Sequence, residues 1–265
     1  MNNITMGQYL PTDSPVHRLD PRSKLICTTM VIFAVLMTFN LLGLLPVTFL
    51  TMLVVLLSGI KPNVYWQSLK ILWLLLIIGF VLQVFFTPGN TLLTVGFIKI
   101  SREGLLFGGW LLWRISILLL VAAVLTFTTT PLQLTMALEW LLSPLRRLRV
   151  PVQELAMMIN LAMRFVPTLF DEAGMLLLAQ RSRGADFNSG SIRERVSRLT
   201  PFLVPLLMNI FSRADEIALA MEIRCYQVGA VRSRLHEMRF NPADYAALLL
   251  TAAILAVVVV VKVLY

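Results

Sequence analysis

Apolar residues gather in five blocks, at about 25–41, 43–60, 67–86, 105–129 and 244–264. A helix that crosses a bilayer needs ~20 mostly apolar residues, so each block is a candidate span. Polar punctuation separates them. Asp20-Pro21 opens the first block, because Asp accepts hydrogen bonds from free N–H groups and Pro suits a first helical turn. Pro62-Asn63 breaks the chain between the second and third, and Pro88-Gly89-Asn90 ends the third. Residues 91–103, TLLTVGFIKISRE, are too short to span and predict a small hairpin or surface loop.

The pattern changes over residues 131–240. Pro131 and Pro151 each sit at an expected first helical turn. Residues 151–183 carry a polar stripe at Asn160, Arg164, Thr168 and Asp171/Glu172, with Met, Leu and Phe elsewhere. Residues 201–224 repeat the idea with Asn209, Ser212, Arg213 and Glu216. Helical periodicity of this kind predicts two long amphipathic helices. They are too polar for lipid all round and too apolar to stand free in water, so they are expected at the membrane's inner face. The two stretches also echo each other. FVPTLFDEAGMLLLAQRSRG (165–184) and LVPLLMNIFSRADEIALAMEIRC (203–225) both run from a Val-Pro to an arginine, Arg183 or Arg224, near the helix end. Two similar elements doing the same job would read this way.

Composition fixes the class. Of 265 residues, 58% are hydrophobic and 14% charged, against about 45–50% and about 25% in soluble domains. The expected fold is an all-α integral membrane protein. It has about five transmembrane helices and a cytoplasmic-side domain of long amphipathic helices. Its segments are 1–24 (cytoplasmic), 25–130 (four spans), 131–240 (cytoplasmic) and 241–265 (a last span). The net charge of +9 does not indicate nucleic acid: fourteen of the 23 basic residues lie in 131–240, beside ten acidic ones. A solvated cytoplasmic face explains this mixture better than a phosphate-tracking groove. Placing Arg18, Arg22, Lys24, Lys61 and 131–240 in the cytoplasm leaves only Lys99, Arg102 and Lys262 outside. That distribution predicts an inside N-terminus and an outside C-terminus. The stretch MNNITMGQYL lacks a basic region and the first apolar run begins only after Lys24, so no signal peptide is expected.

Catalytic chemistry is not apparent. There is no Walker loop, no Gly-x-Gly-x-x-Gly and no His-Glu-x-x-His, so neither nucleotide nor a zinc cofactor is expected. His17 and His236 lie far apart in polar segments and read as solvated or loop-capping residues. Asp171-Glu172 and Asp215-Glu216 read as helix-surface pairs, with Arg164 or Arg213 within reach along the helix. Cys27 and Cys225 lack metal-ligand spacing and are expected as free thiols. Arg114 lies ~15 Å into the fourth span. A transport pathway is one reading of it, and structural pairing beside Trp110 and Trp113 is the other. A self-sufficient secondary transporter would carry more intramembrane polar groups and paired broken helices. Eight of 13 methionines fall in 131–240, which suits either a core or an adaptable docking face.

The motifs HRLDPRSKL (17–25) and QRSRGADF (180–187), with the spans and long helices, resemble the transmembrane T component of energy-coupling-factor (ECF) transporters. The resemblance covers essentially the whole chain and is to the shared type of T protein. It implies a non-catalytic coupling subunit between two ABC-type ATPases and a small membrane S component that captures a vitamin or micronutrient. The segment 131–240 would be the coupling domain, and ATP hydrolysis would belong to the partners. The family pattern is Ala-Arg-Gly at the ends of two coupling helices, each arginine docking one ATPase. Carried over, it falls on Ser182-Arg183-Gly184 and Ile223-Arg224-Cys225, so three of four flanking positions depart from it. Gly184 can end its helix in a left-handed conformation. Cys225 does so less easily, and the second helix is expected to run on towards Gly229. Taken without the resemblance, the two arginines could simply complement the negative ends of their helices.

Overall fold

The computed structural model describes residues 9–38, 41–88, 91–95, 98–148, 150–184, 192–229 and 240–264. The chain divides into two compact units, one of residues 1–141 and 236–265, the other of 142–235.

The first unit holds helices α1 (Pro21–Met37), α2 (Leu41–Leu57), α3 (Pro62–Phe86), α4 (Arg102–Thr128), α5 (Pro131–Leu142, apart from its last residue) and α8 (Pro242–Leu264). Strands β1 (Thr91–Val95) and β2 (Ile98–Ser101) form an antiparallel hairpin between α3 and α4, as the short Thr/Val/Ile segment predicted. Ser101 ends the hairpin and starts the next helix. Its hydroxyl donates to the Thr87 carbonyl at 2.8 Å and accepts from the Gly104 amide at 3.0 Å.

Among the described residues, α4 and α8 are each long and apolar enough to cross a bilayer, and α3 makes a third if its bent halves count as one span. α1 and α2 have 17 residues each, or ~25 Å by helical rise, shorter than a ~30 Å hydrocarbon core. The expected five spans thus correspond to five apolar helices, of which two or three meet the length criterion.

The core lies where α1, α2, α4 and α8 meet: Val31, Ala34, Val35, Leu44, Val47, Leu50, Ile117, Val121 and Val258 are buried together. A second cluster of Val16, Ile60, Tyr65, Val124 and Phe127 sits next to it, at the C-terminal end of α4. There Tyr65 packs edge-on against Phe127, and its hydroxyl bonds Ser58 at 2.9 Å. α3 approaches α4 closely because Gly104 and Gly108 leave room. A Cβ at Gly104 would stand 2.9 Å from the Val84 carbonyl oxygen, and one at Gly108 would stand 2.8 Å from the Phe80 ring. Small residues four apart permit such backbone approach between membrane helices.

Arg114 has the kind of pairing that the structural reading expects. Its guanidinium donates to the Leu36 carbonyl at 2.7 Å, one of the carbonyls left without an intrahelical partner at the end of α1, and lies 5.0 Å from the Trp110 ring centroid. His17 organises the N-terminal loop, bonding Ser14 at 2.7 Å and the Leu10 carbonyl at 3.1 Å. Burial lowers its imidazole pKa from the usual value, against a pull upward from the Leu10 carbonyl. His236 lies outside the described residues. Cys27 and Cys225 are free.

The second unit consists of a 3-10 segment (Ser143–Leu148) and helices α6 (Val152–Ser182) and α7 (Ile192–Ile223). Both helices are amphipathic, as the polar stripes predicted. Each contains proline, Pro167 in α6 and Pro201 and Pro205 in α7.

Candidate functional site

Three polar contacts tie α6 to α7 and the residues after it. Glu172 accepts from Arg213, the Gln180 amide donates to the Pro201 carbonyl at 3.3 Å, and Glu154 accepts from the Gly229 amide at 3.0 Å. Residue numbers rise on one partner as they fall on the other, so the helices run antiparallel. Their C-termini therefore lie at opposite ends of the pair, with on the order of 35 Å of helix between them. The Arg213–Glu172 bond also corrects the expectation of pairing along one helix. Arg213 reaches across to the neighbouring helix, to a side chain it faces without being near in sequence.

Arg183 and Arg224 occupy equivalent positions. Each is the first residue past its helix, and its amide still bonds back into the last turn, to Ala179 at 3.3 Å or Ala220 at 3.3 Å. Each is followed by a residue in the left-handed region, Gly184 at φ +84° and Cys225 at φ +56°. The closures match as well: the Gly184 amide bonds the Arg181 carbonyl at 2.9 Å, and the Cys225 amide bonds the Glu222 carbonyl at 2.9 Å. At the second end the Tyr226 amide adds a bond to the Met221 carbonyl at 3.0 Å, completing a Schellman turn. α7 thus stops at Ile223 and does not run on towards Gly229. The bonds from Cys225 and Tyr226 satisfy carbonyls that a free helix end would leave open, and this offsets the cost of a side chain at positive φ.

Ser182, Arg183, Gly184, Ile223, Arg224 and Cys225 are all exposed. The Ser182 hydroxyl turns back onto the Leu178 carbonyl at 3.1 Å. Neither arginine pairs with a carboxylate among the described residues. Each presents a charged fork of donors at the end of a rigid helix, a geometry suited to an acidic groove on another surface. The methionines of this unit point the same way. Met158, Met163, Met175 and Met208 are exposed, and Met157 and Met221 are half-buried.

One group of residues escaped the sequence reading. Asp244, taken there as the edge of the last span, is fully buried at the start of α8. Its carboxylate accepts from the Asn241 amide at 2.7 Å, the Asp20 amide at 2.8 Å and the Ser23 hydroxyl at 2.6 Å. The local signal was available. α1, α5 and α8 open with Asp20-Pro-x-Ser23, Thr130-Pro-x-Gln133 and Asn241-Pro-x-Asp244, a cap, a proline and a polar residue three after the cap. In α5 the box closes reciprocally, with Thr130 and Gln133 bonding each other's amides at 3.1 and 3.3 Å.

A helical first unit with helices long and apolar enough to cross a bilayer is the make-up of an integral membrane protein. The family described as "Cobalt transport protein" (CbiQ) matches residues 12–236. The "Energy-coupling factor transporter transmembrane protein EcfT" of Thermosediminibacter oceani is 42% identical over 253 residues, 95% of each chain. The protein of the same name from Acidaminococcus fermentans is 42% identical over 92% of this chain and 91% of its own. That of Lactococcus lactis subsp. cremoris is 36% identical over 92% of each. The chain belongs to this family of transmembrane components of ECF transporters.

Proposed function

We propose that the chain is the non-catalytic coupling subunit of an ECF importer. In this reading it passes the work of ATP hydrolysis in two ABC-type ATPases to a small membrane S component that captures a vitamin or micronutrient. The S component would be exchangeable, as in the shared type of T protein. The observation that supports this best is the equivalence of Arg183 and Arg224: same helix position, same left-handed closure, both exposed, at opposite ends of one antiparallel pair. One arginine per ATPase accounts for two such ends in a single chain.

In the proposed arrangement the five apolar helices of the first unit cross the membrane. Residues 1–24 and 131–240 face the cytoplasm, and the C-terminus faces outside. Cysteines introduced at Asn90 and Tyr265 then label from outside, and one at Ser191 labels only after permeabilisation. External labelling at Ser191 would end the docking model.

The deciding experiment compares Arg183→Ala, Arg224→Ala and the double variant for vesicle uptake and ATPase copurification. Truncating one partner of a buried charge pair costs ~2–5 kcal/mol, largely because the other charge is stranded. The two contacts act together, so one arginine can still hold a complex and the double variant should lose far more than either single one. Arg→Lys should rescue poorly, since a point charge does not reproduce the fork. Wild-type assembly and uptake in the double variant would reduce both residues to helix-end charges.

A further inference from the structure

Besides the Asp244 contacts, the first unit carries a second buried ion in the same place. Lys24, just ahead of the first apolar run, is buried and donates to the Thr128 carbonyl at 2.8 Å and the His17 carbonyl at 3.1 Å. Thr128 is the last residue of α4, and its carbonyl is among those a helix end leaves unsatisfied. The two ions are thus matched to the helix ends they meet. A carboxylate sits where the N-termini of α1 and α8 converge, and an ammonium sits at the C-terminus of α4. Burial pushes the Lys24 ammonium down to about 8, with Asp244 and then Asp20 pulling it back up. Outside this layer the Arg22 guanidinium lies 5.3 Å from the Trp140 ring centroid and 6.0 Å from that of Phe240. Phe240 in turn packs on Trp140 and Tyr245.

These contacts share a topological property. The chain leaves the first unit after Leu141 and returns at His236. On the outgoing side lie Thr128 and Trp140, and on the returning side Phe240, Asn241 and Asp244. All are joined through one turn of α1, the Asp20-Pro21-Arg22-Ser23-Lys24 segment. We infer that Asp244, Lys24 and Arg22 are positioning residues of the coupling cycle, holding the outgoing and returning chain in one frame so that movement of residues 142–235 is delivered to the membrane helices. The inference rests on the coupling function proposed above. A junction that only had to fold could tie each helix end separately. Here one carboxylate serves two helix starts 221 residues apart, those of α1 and α8, and Lys24 in the same turn of α1 holds the end of α4, so both chain crossings are tied to one turn.

The test measures tritiated riboflavin uptake and ATP hydrolysis in vesicles. These hold the chain, two ATPases and an S component that captures riboflavin. Asp244→Asn and Lys24→Met each remove one buried charge. Arg22→Gln loosens the outer aromatic layer and leaves the buried carboxylate in place. The expected result is that ATPase copurification and ATP hydrolysis persist while uptake per ATP falls, about tenfold for the buried variants and about threefold for Arg22→Gln. The Asp244→Asn/Lys24→Met double variant, which strands neither charge, recovers part of that ratio. An unchanged ratio in all variants overturns the inference. So does loss of the folded complex in the buried variants together with an unchanged ratio in Arg22→Gln. Failure of the wild-type chain to assemble with ATPases instead overturns the coupling reading itself, so the two outcomes are distinguishable.

Discussion

The two units solve opposite problems with the same material. In the first, four helices bury a shared interior, the starts of α5 and α8 are capped by residues one turn on, and two ions sit against helix ends they complement. In the second, α6 fully buries only Val152 and Ala156, and no described side chain of α7 is fully buried. Phe170, Leu178, Leu207, Met208, Phe211 and Ile223 stay exposed along 31- and 32-residue helices. Exposed apolar surface on this scale marks a face that something else covers. The first unit has a shared buried core, and its exposed apolar residues, Phe49, Leu56 and Phe86 among them, lie on apolar helices suited to lipid. The second has exposed apolar residues on helices that bury little. The coupling role proposed above would use that division, one part resisting deformation while the other binds.

The sharpest way to break the contrast is to change glycines. Gly104→Val places a Cβ 2.9 Å from the Val84 carbonyl and 3.1 Å from that of Gln83, backbone atoms that cannot rotate aside. Overpacking of this kind costs ~1–3 kcal/mol or more. The purified variant should unfold several degrees below wild type in detergent. Gly174→Ala in α6 meets nothing within 4 Å. There alanine's helix preference, worth ~1 kcal/mol over glycine, should raise the melting temperature instead. Equal destabilisation by both would mean that α6 is as tightly packed as α4.

A smaller effect is expected from the cross-helix ion pair. Glu172→Gln leaves Arg213 without its carboxylate partner and should cost ~1.5–3 kcal/mol, the range for hydrogen bonds to charged groups. Removing Arg18, whose bond to Asp13 is fully exposed, should leave thermal unfolding unchanged. A shift of equal size in both would show that the α6–α7 pair is no more structural than a surface contact.

Much of the fold was legible because its strongest signals are local. Apolar blocks gave five helices to within a few residues, and the misfit at their ends has a cause. The first helix begins at Pro21 and not at 25, because the Asp20 cap sets the start whatever the polarity of Arg22, Ser23 and Lys24. The second stops at Leu57 and not at 60, because the chain turns at Gly59 with φ +66°. What sequence could not supply were partners distant along the chain. Spacing suggested Arg213 beside Glu216, and antiparallel packing put it on Glu172. The Asn241-Pro-x-Asp244 box was readable, but no local pattern announces that Asp244 also takes the Asp20 amide. The arginine ends themselves were found from their echo, while the left-handed Cys225 contradicted a sound expectation about side chains at positive φ.

That cysteine yields the smallest and most discriminating comparison. Gly184 adopts φ +84° with nothing within 4 Å of where a Cβ would stand, so any cost of Gly184→Ala comes from backbone conformation alone. An L-residue in the left-handed region costs ~1–2 kcal/mol, and the variant should be destabilised by about that amount. Cys225 already bears such a cost, so Cys225→Gly should relieve it. The gain should be under ~1 kcal/mol, because glycine also frees the unfolded chain. Thermal unfolding of both variants reads the two signs directly. The same pair separates geometry from chemistry at the proposed docking ends. If the left-handed turn serves only to aim the arginine, Cys225→Gly keeps ATPase copurification and uptake at wild-type levels, since the turn and Arg224 are retained. If uptake falls while the protein becomes more stable, the thiol itself contacts the partner, and the two helix ends are equivalent in shape without being equivalent in recognition.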